Sequence, residues 1–307
     1  MPNERLRLPV IQRGETSTDP PVFEKIAIVG LGLIGGSIAL AAREAWSKCL
    51  VIGIDDKAVL EKAMVLHAID VASDDPVVMA EADLVVLAAP VSRNLQLLSE
   101  VQQHVTGNAV VTDVGSTKRN IVATACELPK RLVFIGGHPL GGAPLSGIKH
   151  ARPELFRGRP WLFTPTDEGH NETLQRLEQF VKGLGAVPHV MSADEHDRLL
   201  AFLSHIPQIT VSALMHVVGE AVGPSGLALA GRGLADTTRL ASSPSGIWQD
   251  ICSANADEIK QAIEELIETL GILRDDLSHG SEVDRIFQSA ANWRSVLADQ
   301  KENARKA

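Results

Sequence analysis

The sequence predicts an α/β chain: a doubly wound domain built on a parallel sheet, then a domain made only of helices. Three observations predict it. Short apolar runs alternate with helix-compatible segments up to about residue 190, and a glycine pattern marks the first strand-to-helix turn. From Ser192 onward the alternation stops and helical spacing takes over. The expected division is a loose tail over 1–22, a nucleotide-binding domain over 23–190, and a helical domain over 191–307.

Taken in order, Ile26 to Val29 is an apolar run suited to a buried parallel strand. Gly30, Gly32 and Gly35 follow in G-x-G-x-x-G spacing, and Ser37 to Arg43 continues as a helix. The first glycine allows a tight turn, the second lets backbone approach a pyrophosphate, and the third lets helix and strand pack closely. The helix start offers free N–H groups to the anion. Val51 to Asp55 is a second strand ending in acid, 25 residues beyond Gly30. That is near the ~20 expected for a carboxylate on an adenosine ribose. Asp55 and Asp56 together would repel a 2′-phosphate, so the cofactor expected is NAD and the domain Rossmann-type. Its contacts are expected from Gly30, Gly32, Leu33, Ile34 and Gly35, and from Asp55, Pro90 and Asp113 at later strand ends.

Further strands are expected at 83–90, 108–113, 131–136 and 160–164, with a last short one over 186–191. Helices are expected at 94–104, 118–127 and 171–184. Ser192 and Glu195 then read as a capping box. Ala256 to Leu277 places Ile259, Ile263, Leu266, Ile267 and Leu270 at helical spacing for packing against other helices. Stops fall at 223–226, 242–246 and 279–280.

With 45% hydrophobic and 22% charged residues the chain reads as an ordinary globular protein. Its net charge of −9 argues against nucleic acid as a partner. Three widely spaced cysteines form no C-x-x-C pair and read as reduced thiols of a cytoplasmic protein. No run approaches ~18 uninterrupted apolar residues, so no membrane span is expected.

Three segments near strand ends carry unusual polar residues. In Asp113 to Lys118, Ser116 or Thr117 could cap a helix, alongside any role in chemistry. In Gly136 to Gly142, His138 sits between glycines and a proline, a good position for acid/base work. In Asp194 to Gln208, His196 and His205 are nine apart and face opposite ways, and no metal-ligand spacing occurs anywhere, so no metal site is expected. His205 and Gln208 share a face and could both point into a cleft between the domains, with Pro207 bending the helix there. For His196, a bond across the domain interface is at least as good a reading as catalysis.

These segments, with Ser146-Gly147, Leu155 to Gly158, Ser204 to Pro207 and Asp236 to Ala241, occur in an order and at spacings that resemble the prephenate/arogenate dehydrogenase family. The resemblance runs from about residue 24 into the C-terminal helices. It implies NAD-dependent oxidative decarboxylation of prephenate or arogenate in tyrosine biosynthesis, and a homodimer through the helical domain. It also implies that His138 takes the ring hydroxyl proton, that Ser116 holds this histidine and the hydroxyl, that Arg239 binds a substrate carboxylate, and that His205 lines the same cleft.

Gln208 stands where many relatives have a second histidine, and Ala235 where many have a basic residue. Both changes remove positive charge, which would favour the alanyl group of arogenate over the pyruvyl group of prephenate. With about 25 residues ahead of the first strand, fewer than the ~50 of a further domain, neither a fused mutase nor a regulatory domain is expected. Two other readings compete. A two-domain dehydrogenase of a 3-hydroxy acid or imine would carry a lysine on the first long helix of the helical domain, and residues 192–220 contain none. A non-catalytic NAD sensor would leave His138, Ser116 and Arg239 unexplained.

Overall fold

The computed structural model describes residues 20–141, 146–166 and 171–306. Residues 1–19, most of the expected tail, and Gly142 lie outside them. The first domain is an eight-stranded sheet in the order β3-β2-β1-β4-β5-β6-β7-β8. The strands are β1 (Lys25–Val29), β2 (Leu50–Ile54), β3 (Val71–Ser73), β4 (Leu84–Leu87), β5 (Ala109–Asp113), β6 (Leu132–Pro139), β7 (Pro160–Pro165) and β8 (Val187–Val190). The helices are α1 (Leu33–Ala45), α2 (Lys57–Val65), α3 (Val91–His104), α4 (Arg119–Ala125) and α5 (Asn171–Gly183).

Both faces of the sheet are covered, which is why its strands read as unbroken apolar runs rather than alternating ones. Successive side chains still point to opposite faces. Ile26 and Ile28 join the core on one side with Ile38 and Phe180, whereas Ala27 and Val29 join the core on the other with Leu97 and Val101. The order reverses between β1 and β4, and the crevice above that switch point is where an open α/β sheet takes its ligand.

Two features depart from the sequence reading. The short edge strand β3 was not expected. The sheet is also not wholly parallel, because β7 runs antiparallel to β6 while β8 runs parallel to β7. Residues 140–159 contain only short 3-10 turns among the described residues, so no crossover helix carries the chain back to a parallel start.

The second domain comprises α6 (Ala193–Leu200), a π-helical turn (Ala201–His205), α7 (Ile206–Leu227), α8 (Arg232–Thr237), α9 (Ser245–Ala254), α10 (Ala256–Asp276) and α11 (Ser281–Lys306). Ser192 opens α6 with the complete capping box. The chain bends inside α7 at Gly223, whose φ of 60° is open to glycine at little cost.

This domain is thinly packed by itself. Ala201, Ile251 and Ile259 form its small core, while Val217, Ile267, Phe287 and Trp293 stand more than 60% exposed. Ile267 and Leu270, expected to pack on other helices, are open in the single chain. The run Ala193–Leu227 is long and apolar enough to span a membrane by length and composition alone.

Candidate active site

A cleft of about 670 Å³ opens at the switch point and is walled by both domains. The nucleotide domain contributes Gly32, Leu33, Ile34, residues 88–91, 114–116 and 138–141, and Ser146 and Gly147. The helical domain contributes Leu200, Leu203, Ser204, Pro244, Ile247, Asp250 and Ile251. Its volume and mixed lining suit a small ligand beside a cofactor.

The glycine turn is shaped for a pyrophosphate. Gly30 adopts φ 96°, and a Cβ there would lie 2.7 Å from the Ala88 carbonyl. At Gly35 a Cβ would fall 1.9 Å from the Gly30 oxygen, so α1 can approach the loop only without one. Gly32 differs: a Cβ would meet nothing within 4 Å among the described residues, yet the residue lines the cleft. α1 begins there with no side-chain cap and no acid in its first turn, which leaves its N–H groups and the positive end of its dipole for an anion. The residues present therefore fit NAD.

Asp55, partly exposed at the end of β2, accepts N–H bonds from Leu31 at 2.6 Å and Asp56 at 2.7 Å. These bonds fix a carboxylate at the edge where the ribose is expected. Leu33, Ile34 and Pro90 line the cleft as expected for cofactor contacts. Asp113 does not present its side chain there. It is buried, and its oxygens accept from Gly115 N–H, Gly137 N–H and the buried Lys118 Nζ at 2.8, 3.1 and 2.5 Å. Its role is to hold two site loops together, a correction to the expected cofactor contact.

His138 lies within β6 opposite Leu162 of β7, not in a loop after the strand. The strand can run on because Gly136 and Gly137 let β7 and β5 close in; a Cβ would meet Thr164 Oγ1 at 2.3 Å and the Asp113 carbonyl at 2.6 Å. The imidazole is nearly buried at the cleft floor, and its Nδ1 lies 2.9 Å from Nε2 of His196. His196 in turn places Nδ1 2.8 Å from Asp197 Oδ1. Burial, then the neighbouring His196, Lys118 and His205, hold His138 well below the usual imidazole range. Burial also lowers His196, against the opposing pull of Asp197. Both rings are thus neutral near pH 7.

Ser116 lines the cleft but makes no hydrogen bond to His138, whose bonded partner is His196. Neither Ser116 nor Thr117 caps α4. The Asp197 carboxylate does so from the other domain, accepting Lys118 N–H at 2.7 Å and Arg119 N–H at 2.9 Å.

His205 and Gln208 do not face the cleft in this chain. His205 is buried beside Trp248 and 3.3 Å from Asn255 Nδ2. Gln208 donates to the Leu240 carbonyl at 2.8 Å and accepts from the Ser243 hydroxyl, so it braces the turn after α8. The reason is the π turn. Pro207 has no N–H for the Leu203 carbonyl, and the chain instead bonds Ile206 N–H to the Ala201 carbonyl. The extra residue rotates His205 inward and leaves Leu203 and Ser204 on the cleft. Arg239 is exposed, outside the cleft, and makes no ion pair among the described residues. The charge missing at these two positions therefore does not bear on the cleft of the single chain: Gln208 is internal and Ala235 is exposed away from it.

The sequence reading missed Asp197, Asn255 and Asp250. Asp250 accepts from the Ser92 hydroxyl at 2.8 Å and closes one end of the cleft against α3. The only available signal was the His196-Asp197 pair beside a capping box, which spacing alone does not aim at β6.

Residues 38–190 match the model of the prephenate dehydrogenase nucleotide-binding domain, and 192–289 match that of the prephenate dehydrogenase dimerization domain. A prephenate dehydrogenase of Bacillus subtilis is 34% identical over 284 residues, covering 89% of this chain and 76% of that protein. A crystal structure of prephenate dehydrogenase from Aquifex aeolicus with hydroxyphenyl propionate and NAD+ superposes with a TM-score of 0.82. It is 28% identical, over 89% of this chain and 98% of that one. Synechocystis arogenate dehydrogenase gives 0.77 at 28% identity, over 89% and 99%.

Proposed function

This chain belongs to the prephenate dehydrogenase family, and from that premise we propose that His138 is the proton acceptor for oxidative decarboxylation of prephenate, arogenate or both. The protein is an NAD-dependent oxidoreductase of tyrosine biosynthesis. Bound NAD+ supplies the hydride acceptor. The observation that carries the reading is the His138–His196 bond: it occupies Nδ1 and leaves Nε2 for the cleft.

The chemistry then follows from the substrate's bonds. The ring hydroxyl gives its proton to His138 Nε2 as its carbon loses hydride and becomes a carbonyl. The ring carboxylate leaves as CO2, and its bonding electron pair flows into the ring. The resulting phenolate can take back the proton held by His138, giving 4-hydroxyphenylpyruvate from prephenate or tyrosine from arogenate. A neutral histidine that charges only transiently suits this task. Ser116, on the cleft wall and with no hydroxyl bond among the described residues, is placed to bond the ring hydroxyl.

The enzyme is further proposed to work as a homodimer through the helical domain. The exposed apolar residues of α7, α10 and α11 support this, since a second copy would cover them and the apolar face of Ala193–Leu227. Arg239 lies on the same domain outside its own cleft, so its proposed carboxylate contact is made in the cleft of the second copy. Three free cysteines support a cytoplasmic setting.

NADH formation measured separately with prephenate and arogenate tests the reading. Turnover with neither substrate would overturn it.

A further inference from the structure

A buried chain of polar contacts runs beneath the cleft from Asp197 through His196 to His138. Asp197 is fully buried, and its two oxygens accept the backbone N–H groups of Lys118 and Arg119 at 2.7 and 2.9 Å. A backbone N–H can only donate. Arg119 Nε adds a further donor to the carboxylate, 3.4 Å from Oδ2. Burial raises this carboxyl, but the bonds from His196, Arg119 and Lys118 outweigh burial and its net displacement is downward. Asp197 is therefore a carboxylate, an acceptor only.

The rest follows link by link. His196 Nδ1, 2.8 Å from Asp197 Oδ1, must carry the hydrogen and donate it. Neutral His196 then has a bare Nε2, which can only accept. His138 Nδ1, 2.9 Å away, must be the donor, and so the His138 Nε2 atom keeps its lone pair for the cleft.

We propose that His196 and Asp197 are positioning residues that set the tautomer of His138, so that the nitrogen facing the substrate is always the basic one. Two features of the site support a dedicated device. The carboxylate is held by the first residues of α4, immediately after the loop that carries Ser116, so the tautomer is set only when the two domains are docked. Asn255 donates to the Asp197 carbonyl at 2.8 Å and is bonded by Arg119 Nη2 at 2.9 Å, which pins the same junction from α10. The charged groups around the chain are Lys118 and Asp113 beside the histidines, and Asp257 and Glu258 beyond Arg119. None of them offers His138 Nδ1 another acceptor.

The inference rests on His138 being the proton acceptor, and its test keeps the two apart. Enzyme with ¹⁵N-labelled histidine, bound to NAD+, is examined by two-bond ¹H–¹⁵N imidazole spectroscopy. The His138 signal is identified by its loss in His138→Asn. The wild type should show His138 as the Nδ1–H tautomer. In His196→Leu the acceptor is gone, and the Nε2–H form should appear while turnover falls tenfold or more and NAD+ affinity stays unchanged.

His196→Gln is the rescue. Its amide can donate to Asp197 and accept from His138, so the Nδ1–H form and most of the turnover should return. A merely structural histidine would move melting temperature and turnover together in both variants, with no change of tautomer. Wild-type His138 found as Nε2–H, or His196→Leu keeping both Nδ1–H and full turnover, would overturn the proposal even if one variant folds poorly. Full turnover in His138→Asn would instead overturn the assignment of the proton acceptor.

Discussion

Asp197, on the first helix of the helical domain, accepts the backbone N–H of Lys118 at 2.7 Å across the domain boundary. One carboxylate thereby caps a nucleotide-domain helix and orients His196 beneath the cleft. Capping normally comes from a residue just ahead of the helix. Here it depends on domain docking, and that links stability of the interface to chemistry at His138.

Replacing His138 by Asn should leave NAD+ binding near normal and lower turnover by ~10²–10⁴-fold, the usual range for acid–base assistance. Steady-state kinetics beside cofactor titration will show it. A loss well under tenfold would remove His138 from the mechanism.

Gly32→Ala and Gly35→Ala should fail in different ways. At Gly32 a Cβ meets open space in the protein, so the variant should melt like wild type but bind NAD+ about tenfold or more weakly, equivalent to ~1.4 kcal/mol. At Gly35 a Cβ would collide with the Gly30 carbonyl, so thermal stability itself should drop. Equal melting temperatures for the two would contradict this reading.

Asp55→Ser combined with Asp56→Arg should shift preference from NAD toward NADP. Asp55 is held at the ribose edge by Leu31 and Asp56 N–H groups, and a 2′-phosphate would meet its charge. A wild type that uses both cofactors equally would show that this charge does not select.

Arg239→Ala should weaken substrate binding by roughly 10- to 150-fold, the worth of a charge-assisted bond, with Arg239→Lys recovering part. Because Arg239 lies outside its own cleft, mixed dimers of Arg239→Ala and His138→Asn subunits should exceed both parents in activity at low substrate concentration. Mixed dimers no more active than the parents would place Arg239 elsewhere in the scheme.

Acid should destabilise the fold through its buried histidines. His138, His196 and His205 are all lowered from 6.5 by burial, His205 to about 4. Between 6.5 and those lower values the unfolded chain binds more protons than the folded one. Stability therefore rises with pH in this window and is lost as pH falls below 6.5. The denaturant midpoint should be lower at pH 5 than at pH 7, and His205→Gln should flatten the difference. A midpoint that is level over this range would refute the argument.

Residue order alone determined the cofactor turn and the two-domain plan. A strand buried on both faces must be apolar throughout, and a close helix–strand approach tolerates only glycine, so Ile26 to Gly35 could be read without coordinates. The capping box at Ser192 was equally legible, because its two bonds join residues three apart.

Tertiary structure decided the rest. β7 runs antiparallel because of how residues 140–159 return, which no local periodicity encodes. The π turn before Pro207 took His205 and Gln208 off the cleft expected for them, since one added residue in a turn rotates every side chain after it. Asp197 reaches Lys118 across 79 positions of sequence, and the His138–His196 bond spans 58. Such contacts exist only once the two domains meet. Local pattern gives the apolar runs and a cap such as that of Ser192, whereas the partner of a buried polar group is set by packing.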